Sequence, residues 1–258
     1  MKKLLGLIVA VSFLFTGCSS STPNTESTGS TGKTLKVVTV APYEPYETMN
    51  KDGKLEGFDI DMTEAIAKKL GYTLEWENLE FDAALLAIQN NQADLAVAGL
   101  SPTAERMKVL DFSEIYYQES SNTVTTVVTL KSRGFTSAQD LKGLKAGVQN
   151  GTIQQEALES IKDEYNLTID TRKEYADIVQ EIINGNLDFM VCEQVMAQNY
   201  LSVYPELASF PLGVGEDSNG NAIAFPKGSS LRDEFNKEIL AMKESGEMQT
   251  LIDKWFKK

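Results

Sequence analysis

The chain contains no histidine among its 258 residues. That removes the commonest general base, the commonest metal ligand and every Ser-His-Asp or Cys-His arrangement for nucleophilic catalysis. The two cysteines, Cys18 and Cys192, do not read as a disulfide pair. Cys192 lies in the apolar run 189–192, a buried strand by its pattern, where a free thiol serves as a small core side chain. No glycine-rich nucleotide-binding motif occurs. The 37 acidic residues outnumber the 24 basic ones, giving a formal net charge of −13 in a chain that is 42% hydrophobic and 24% charged. This is the composition of a globular protein. Its acidity repels phosphates, so no nucleic acid is expected as a partner. Neither a metal nor a cofactor is expected.

The first residues carry a different signal. Lys2 and Lys3 precede an apolar run over 4–15 that is too short for an ordinary membrane span, which is the pattern of a secretion signal. The run closes on Phe15-Thr16-Gly17-Cys18, which resembles the lipobox of bacterial lipoproteins, with Phe15 where that pattern usually carries leucine. Residues 1–17 then form a signal peptide, and Cys18 is the lipidated residue that anchors the protein to the extracellular face of the membrane. A plain signal peptide with an incidental cysteine is the competing reading. Residues 19–32 are almost entirely Ser, Thr, Gly, Pro and Asn, so 18–32 is expected to be a flexible linker.

The elements that must position any site begin at Lys33. From there short β-branched runs alternate with amphipathic helical patterns, the signature of an α/β protein. Strands are expected over 35–40, 55–58, 73–77 and 94–98, with a tight turn at Asp52-Gly53. Helices are expected over 61–70, closed by Gly71, and over 81–90 with Leu85, Leu86 and Ile88 inward. A second series follows: a helix over 137–141, a strand over 145–148, a helix opening at Thr152, a strand over 167–170, a helix over 175–184, a strand over 189–192 and a helix over 195–204. Residues 230–256 read as two helices broken at Gly246, with Leu231, Phe235, Ile239 and Met242 on one face. Two similar α/β units in tandem suggest two lobes.

Several separated motifs together resemble the amino-acid-binding family of ABC importer binding proteins, relatives of the histidine-, lysine/arginine/ornithine- and glutamine-binding proteins. They are Tyr43-Glu44-Pro45-Tyr46-Glu47, Gly57-Phe58-Asp59-Ile60-Asp61, Phe81-Asp82-Ala83-Ala84-Leu85, and Ser101-Pro102-Thr103-Ala104-Glu105-Arg106 running on to Asp111-Phe112-Ser113. The second half adds Gly147-Val148-Gln149-Asn150-Gly151-Thr152 and Lys254-Trp255-Phe256. The resemblance implies a two-lobed periplasmic-binding-protein-like fold of type II, with 33–121 plus 221–258 as one lobe and 122–220 as the other. Two hinge segments would join the lobes, and they would close on ligand in the cleft between them. It also implies an amino-acid ligand, a membrane-embedded ABC permease as partner, a monomeric state and no enzymatic activity.

An amino acid brings a carboxylate and an ammonium, and burying both is costly unless each meets a charged, hydrogen-bonded partner. Arg106 resembles the family's arginine that grips the α-carboxylate, a task suited to the planar fork of guanidinium. Ser101 matches a carboxylate-binding position, and the Gly99 backbone is expected to offer the ammonium an acceptor. Thr152 and Ile153 open a helix whose free N–H groups and positive dipole end suit an anion. Many relatives carry a hydroxyl where Ile153 stands, and Thr152 is expected to supply it or to act simply as an N-cap. Glu193 matches the family's ammonium-pairing aspartate with one more methylene. Tyr43 and Phe81 match the aromatic pair around the ligand side chain. Basic-amino-acid binders often have an acid at the place of Val40, so Asp59 and Glu44 are the acids left to face a cationic side chain. A polar or basic amino acid is favoured, with glutamine and cystine open. The same fold also carries cyclohexadienyl dehydratases, in which an acid acts as proton donor, and a sensor module is the third reading.

Overall fold

A computed structural model describes residues 32–118, 125–214 and 220–257. The signal peptide, Cys18 and, apart from Gly32, the linker lie outside the described residues. No described helix is long and apolar enough to cross a membrane.

The first stretch runs β1 (Thr34–Thr39), the short hairpin β2 (Thr48–Met49) and β3 (Leu55–Glu56), α1 (Phe58–Leu70), β4 (Thr73–Asn78), α2 (Phe81–Gln89), β5 (Leu95–Ala96), α3 (Ala104–Val109) and β6 (Leu110–Phe112). The second runs β7 (Thr125–Leu130), β8 (Lys145–Gln149), α4 (Ile153–Tyr165), β9 (Thr168–Arg172), α5 (Tyr175–Ile183), β10 (Phe189–Glu193), α6 (Gln194–Val203) and β11 (Leu207–Pro211). The chain then returns as β12 (Ala224–Pro226), α7 (Leu231–Ser245) and α8 (Glu247–Phe256).

Two five-stranded sheets result, ordered β4-β1-β5-β12-β6 and β9-β8-β10-β7-β11. Each has three parallel strands followed by two that alternate in direction. In each sheet the fourth strand is the one the chain enters on leaving the other sheet: β7 follows β6, and β12 follows β11. The chain is thus a two-lobed α/β protein. Leu35, Val37 and Val38 of β1 and Phe189 to Cys192 of β10 are fully buried, as expected of strands covered on both faces. Cys192 is a buried free thiol, and burial pushes it far above its ordinary range. The last two helices break at Gly246, which has a left-handed φ of 81°, and pack on α1. Asp61 Oδ2 of α1 accepts from Trp255 Nε1 at 2.8 Å and from Lys254 Nζ at 2.6 Å.

Three expectations needed correction. Leu86 is 54% exposed while Ala84, Ala87 and Ile88 form the buried face of α2, so small residues rather than the leucine pair define its inner stripe. Residues 138–141 form a single 3₁₀ turn fixed by a Ser137–Asp140 capping box. Residues 55–58 are not one strand, because α1 already begins at Phe58. Gly57 is the reason: its φ is 143°, and a Cβ there would lie 2.1 Å from the Tyr46 carbonyl oxygen. Only glycine lets the 43–47 loop press against the start of α1, where Phe58 N donates to Pro45 O and Asp59 N to Tyr46 O.

Asp59 follows directly and is fully buried. Its Oδ2 accepts from Gly99 N at 2.9 Å and from Tyr116 OH at 2.8 Å, so it clamps the end of β5 to α1. Burial raises its carboxyl from 3.8 to about 6, against the pull of those two hydrogen bonds. The folded state therefore binds a proton more tightly than the unfolded chain, and this residue subtracts stability as pH climbs through that interval. In ligand-free protein, Asp59→Asn should gain stability relative to wild type as pH rises from about 4 to about 6 and hold the gain above, to a ceiling of about 3 kcal/mol. Urea unfolding of both proteins at the two ends of that range checks this, and a pH-independent difference contradicts it.

Candidate ligand cleft

In open α/β sheets, ligands bind beyond the carboxyl ends of the strands. Here the chain leaves β1 at Val40, β5 at Ala98 and Gly99, β8 at Gln149 and β10 at Glu193, and all of these line one cavity between the lobes. The cleft is closed. Asn150 Nδ2 donates to Asp82 Oδ2 at 2.7 Å, Asn199 Nδ2 to the Glu44 carbonyl at 2.7 Å, and Lys173 Nζ meets Glu80 Oε1 at 2.5 Å. Each of these contacts joins one lobe to the other.

Arg106 sits in the six-residue α3, whose N-cap Thr103 accepts from Arg106 N. Its Nη1 donates to Ser101 O at 3.0 Å, and its Nη2 crosses the cleft to Gly151 O at 3.2 Å. The guanidinium lies 5.3 Å from the Phe81 ring centroid. Phe81 is therefore first of all a platform for Arg106, and it also lines the cavity. Burial lowers the Arg106 pKa, with Glu156 and Glu193 opposing, yet a guanidinium remains charged at any physiological pH. Among the described residues no carboxylate comes within ion-pair distance of Arg106, so it keeps donors and positive charge for an anion. Ser101 is buried beside it in the cavity wall.

The N-terminus of α4 faces the same space, through Thr152, Ile153 and Gln154. The Thr152 hydroxyl donates to Gln149 O at 2.8 Å and accepts from Gln155 N at 3.2 Å. It is thus committed as an N-cap, and a helix N-terminus at this wall has the free N–H groups and dipole sign that suit an anion.

The acids are distributed differently from the expectation. Glu193, at the end of β10, is buried and lines the cavity. Asp59 does not, being occupied with Gly99 and Tyr116, and Glu44 is exposed with its carboxylate accepting from the Thr48 hydroxyl. Of the acids around this loop, Glu47 is the one that lines the cavity. A tight loop pairs Tyr43 with Glu47, Tyr43 N donating to Glu47 O at 2.7 Å and Glu47 N to Tyr43 O at 3.1 Å, which brings both side chains to the cavity. Glu47 is fully buried, and no side chain donates to its carboxylate; the backbone N–H of Val40 is the group directed at it. Burial pushes its carboxyl well above the usual range, Asp59 and Glu193 add to that, and only the Val40 backbone acts against it.

Tyr43 stacks on Tyr46 at 5.4 Å and, across the cleft, on Tyr175 at 6.0 Å. Gly99 makes room for it, since a Cβ there would lie 2.9 Å from Tyr43 Cε1 at a φ of 56°. The Gly99 carbonyl accepts from Asn221 Nδ2 at 2.6 Å, so one of its lone pairs is already used. Glu47, Gln149, Gln154 and Tyr175 also line the cavity. Glu47 and Gln149 lie inside the motifs 43–47 and 147–152, while Tyr175 carries only the pattern of a helix start.

The model of the bacterial extracellular solute-binding proteins, family 3, matches residues 35–258. The arginine-binding extracellular protein ArtP of Bacillus subtilis (strain 168) is 38% identical over 99% of this chain and 98% of its own length. A crystal structure of the substrate-binding protein of an amino acid ABC transporter superposes with a TM-score of 0.81 at 36% identity, covering 87% of this chain and all of that one. An ancestral arginine-binding protein bound to arginine superposes at 0.79 with 31% identity, covering 86% of this chain and 98% of that one. With the family pattern matched from β1 through the last helix, and the fold shared with solved amino-acid-binding proteins, the chain belongs to the bacterial extracellular solute-binding proteins, family 3.

Proposed function

We propose that this protein is the substrate-binding component of an ABC importer and that its cargo is a cationic amino acid, arginine foremost. The observation that carries the reading is the charge inventory of the closed cleft. One guanidinium, Arg106, and two carboxylates, Glu47 and Glu193, line it, a formal balance of −1. Arginine at neutral pH carries one negative and two positive charges, so its inventory is the complement. Its α-carboxylate would lie against Arg106 and the first N–H groups of α4, with its α-ammonium against Glu193 at the end of β10. Relatives named for arginine binding support the same choice. Those relatives are binding proteins of transport systems rather than enzymes, and this protein binds its ligand without turning it over.

Delivery to a membrane permease would follow hinge closure, which buries the ligand between the lobes beside the stacked Tyr43 and Tyr175 and lets the permease read the closed form. Attachment through Cys18, with 19–32 as the tether, would hold the lobes near that permease. The basic start, the short apolar run and the Phe15-Thr16-Gly17-Cys18 sequence support this. Cys18→Ser should abolish incorporation of radiolabelled palmitate into the full chain expressed in a Gram-positive host. Labelling equal to wild type would contradict the anchor.

Arg106→Ala leaves a buried carboxylate without its partner and should weaken L-arginine binding by about 3–5 kcal/mol, a loss of more than a hundredfold in affinity. Isothermal titration of protein freed of endogenous ligand by unfolding and refolding measures it. Affinity within threefold of wild type would overturn the assignment of the carboxylate to Arg106.

A further inference from the structure

We propose that Asn150 is a covalent modification site: the backbone nitrogen of Gly151 attacks its side-chain amide, and the aspartate or isoaspartate that results sets a second carboxylate against Asp82 and disfavours the closed cleft. Asn150 and Gly151 form the turn between β8 and α4, with Asn150 half-buried and Gly151 exposed. Asn150 Nδ2 donates to Asp82 Oδ2 at 2.7 Å, one of the contacts that join the lobes. An asparagine followed by glycine is the pair most open to this reaction, because no Cβ shields the attacking nitrogen from the amide carbon. In the first step the bond from Gly151 N to Asn150 Cγ forms and the Cγ–Nδ2 bond breaks. The departing nitrogen leaves as ammonia, taking the Gly151 amide proton with it. One water then opens the five-membered imide at either carbonyl, giving aspartate, or isoaspartate with the main chain running through the side-chain carbon.

The glycine that leaves Asn150 open to attack is one the closed cleft requires. Gly151 has a left-handed φ of 78°, a conformation that glycine adopts without steric cost. A Cβ there would already touch the facing lobe, 3.4 Å from Asp82 Cβ and 3.7 Å from Phe81 Cδ1, and a longer side chain would crowd both as the lobes meet. The Gly151 carbonyl also accepts from Arg106 Nη2 across the cleft. The reactive pair is therefore built into the surface on which the lobes close.

Closure protects the site. In the closed form the Gly151 N–H is held by Gln155 Oε1 at 2.9 Å, the Asn150 amide is held by Asp82, and Asn150 N donates to Arg172 O at 3.0 Å. Opening takes Asp82 away from the amide and leaves the side chain to rotate toward Gly151 N. Reaction therefore proceeds from the open form, and a ligand that holds the lobes together slows it. The product reverses the contact, because a carboxylate has no N–H to give and meets Asp82 with like charge. Lys173, a cation that feels the Asp82 charge, is paired with Glu80, and the Arg106 guanidinium is turned to Ser101 O and Gly151 O. Isoaspartate also lengthens the main chain just ahead of Thr152, the cap of α4.

The test incubates ligand-freed protein at mildly alkaline pH, with and without L-arginine, the probe that the proposed function supplies, and follows residues 150 and 184 by peptide mass spectrometry. Asn184, followed by Gly185, caps α5 and lies outside the cavity wall, so it is the internal control. Arginine at about 100 times its dissociation constant should slow conversion of residue 150 by about tenfold or more, since it depletes the open form in that proportion, and should leave residue 184 unchanged. In isothermal titration Asn150→Asp should bind L-arginine about tenfold or more weakly than wild type. Adding Asp82→Asn, which again sets an amide against a carboxylate, should recover most of that loss. No conversion at residue 150, conversion that arginine leaves unchanged, or equal slowing at residues 150 and 184 overturns the proposal. So does an Asn150→Asp affinity within about twofold of wild type, the size of an ordinary surface substitution, or a loss that Asp82→Asn does not recover. Wild type that fails to bind arginine overturns the reading of the ligand instead, and the yield at residue 150 without ligand then decides the covalent step.

Discussion

A zwitterion can be enclosed by protein only if each of its charges is met inside the enclosure, because ions taken from water without partners are held at a cost larger than a domain's whole stability. That constraint organises this molecule. One lobe cannot surround a small ligand, so in the proposed site both lobes contribute charged groups that closure brings together. Arg106 and Glu47 come from the lobe that begins with β1, and Glu193 and the α4 N-terminus come from the other. Glu193 ends β10 and the α4 N-terminus follows β8, while Glu47 lies in the loop after β1 and Arg106 in α3 after β5, all beyond the carboxyl ends of the strands, where an α/β sheet offers groups to a ligand.

The scaffold beneath the cleft serves the same constraint. Tyr46, Phe58, Tyr117 and Phe256 pack edge-to-face or stacked at 4.1–6.2 Å and form a rigid apolar floor under the 43–47 loop. The segment that returns from the second lobe is tied to that floor and to the site at once. Asn221 donates to the Gly99 carbonyl, accepts from Tyr46 OH at 3.2 Å and bridges Tyr117 in antiparallel fashion. A rotation of the lobes therefore acts on residues one contact away from the ligand walls, as hinge motions require of the few positions that absorb them.

Much of this was legible in the sequence, for identifiable reasons. The β-branched run of β1, the spacing in α1 and α7, and the glycines closing those helices encode local structure that tertiary packing does not override. Arg106, Ser101 and Glu193 can be named from motifs of fixed order, and the structure brings all three to one cavity. What remained hidden depends on contacts made at long range. β6 and β12 have three residues each and pair across more than a hundred positions, so neither has a pattern of its own to read. Glu47 belongs to a residue type that is nearly always exposed, and only the loop geometry that couples it to Tyr43 turns it into a wall of the cleft. Thr152 showed the reverse: its hydroxyl looked available to a ligand and is committed to the helix end it caps. Leu86 had the right spacing for the core, but the small residues beside it let α2 sit closer on another face.

The measurement that bears most directly on the charge-complementary cleft is a crystal structure of the chain, freed of residues 1–18, grown with L-arginine. The account requires density for one arginine between the lobes, its α-carboxylate on the Arg106 guanidinium and α4 N-terminus, its α-ammonium on Glu193 and its guanidinium against Glu47. Arginine bound in the reverse orientation, or found outside a cleft that closes without it, would contradict the account.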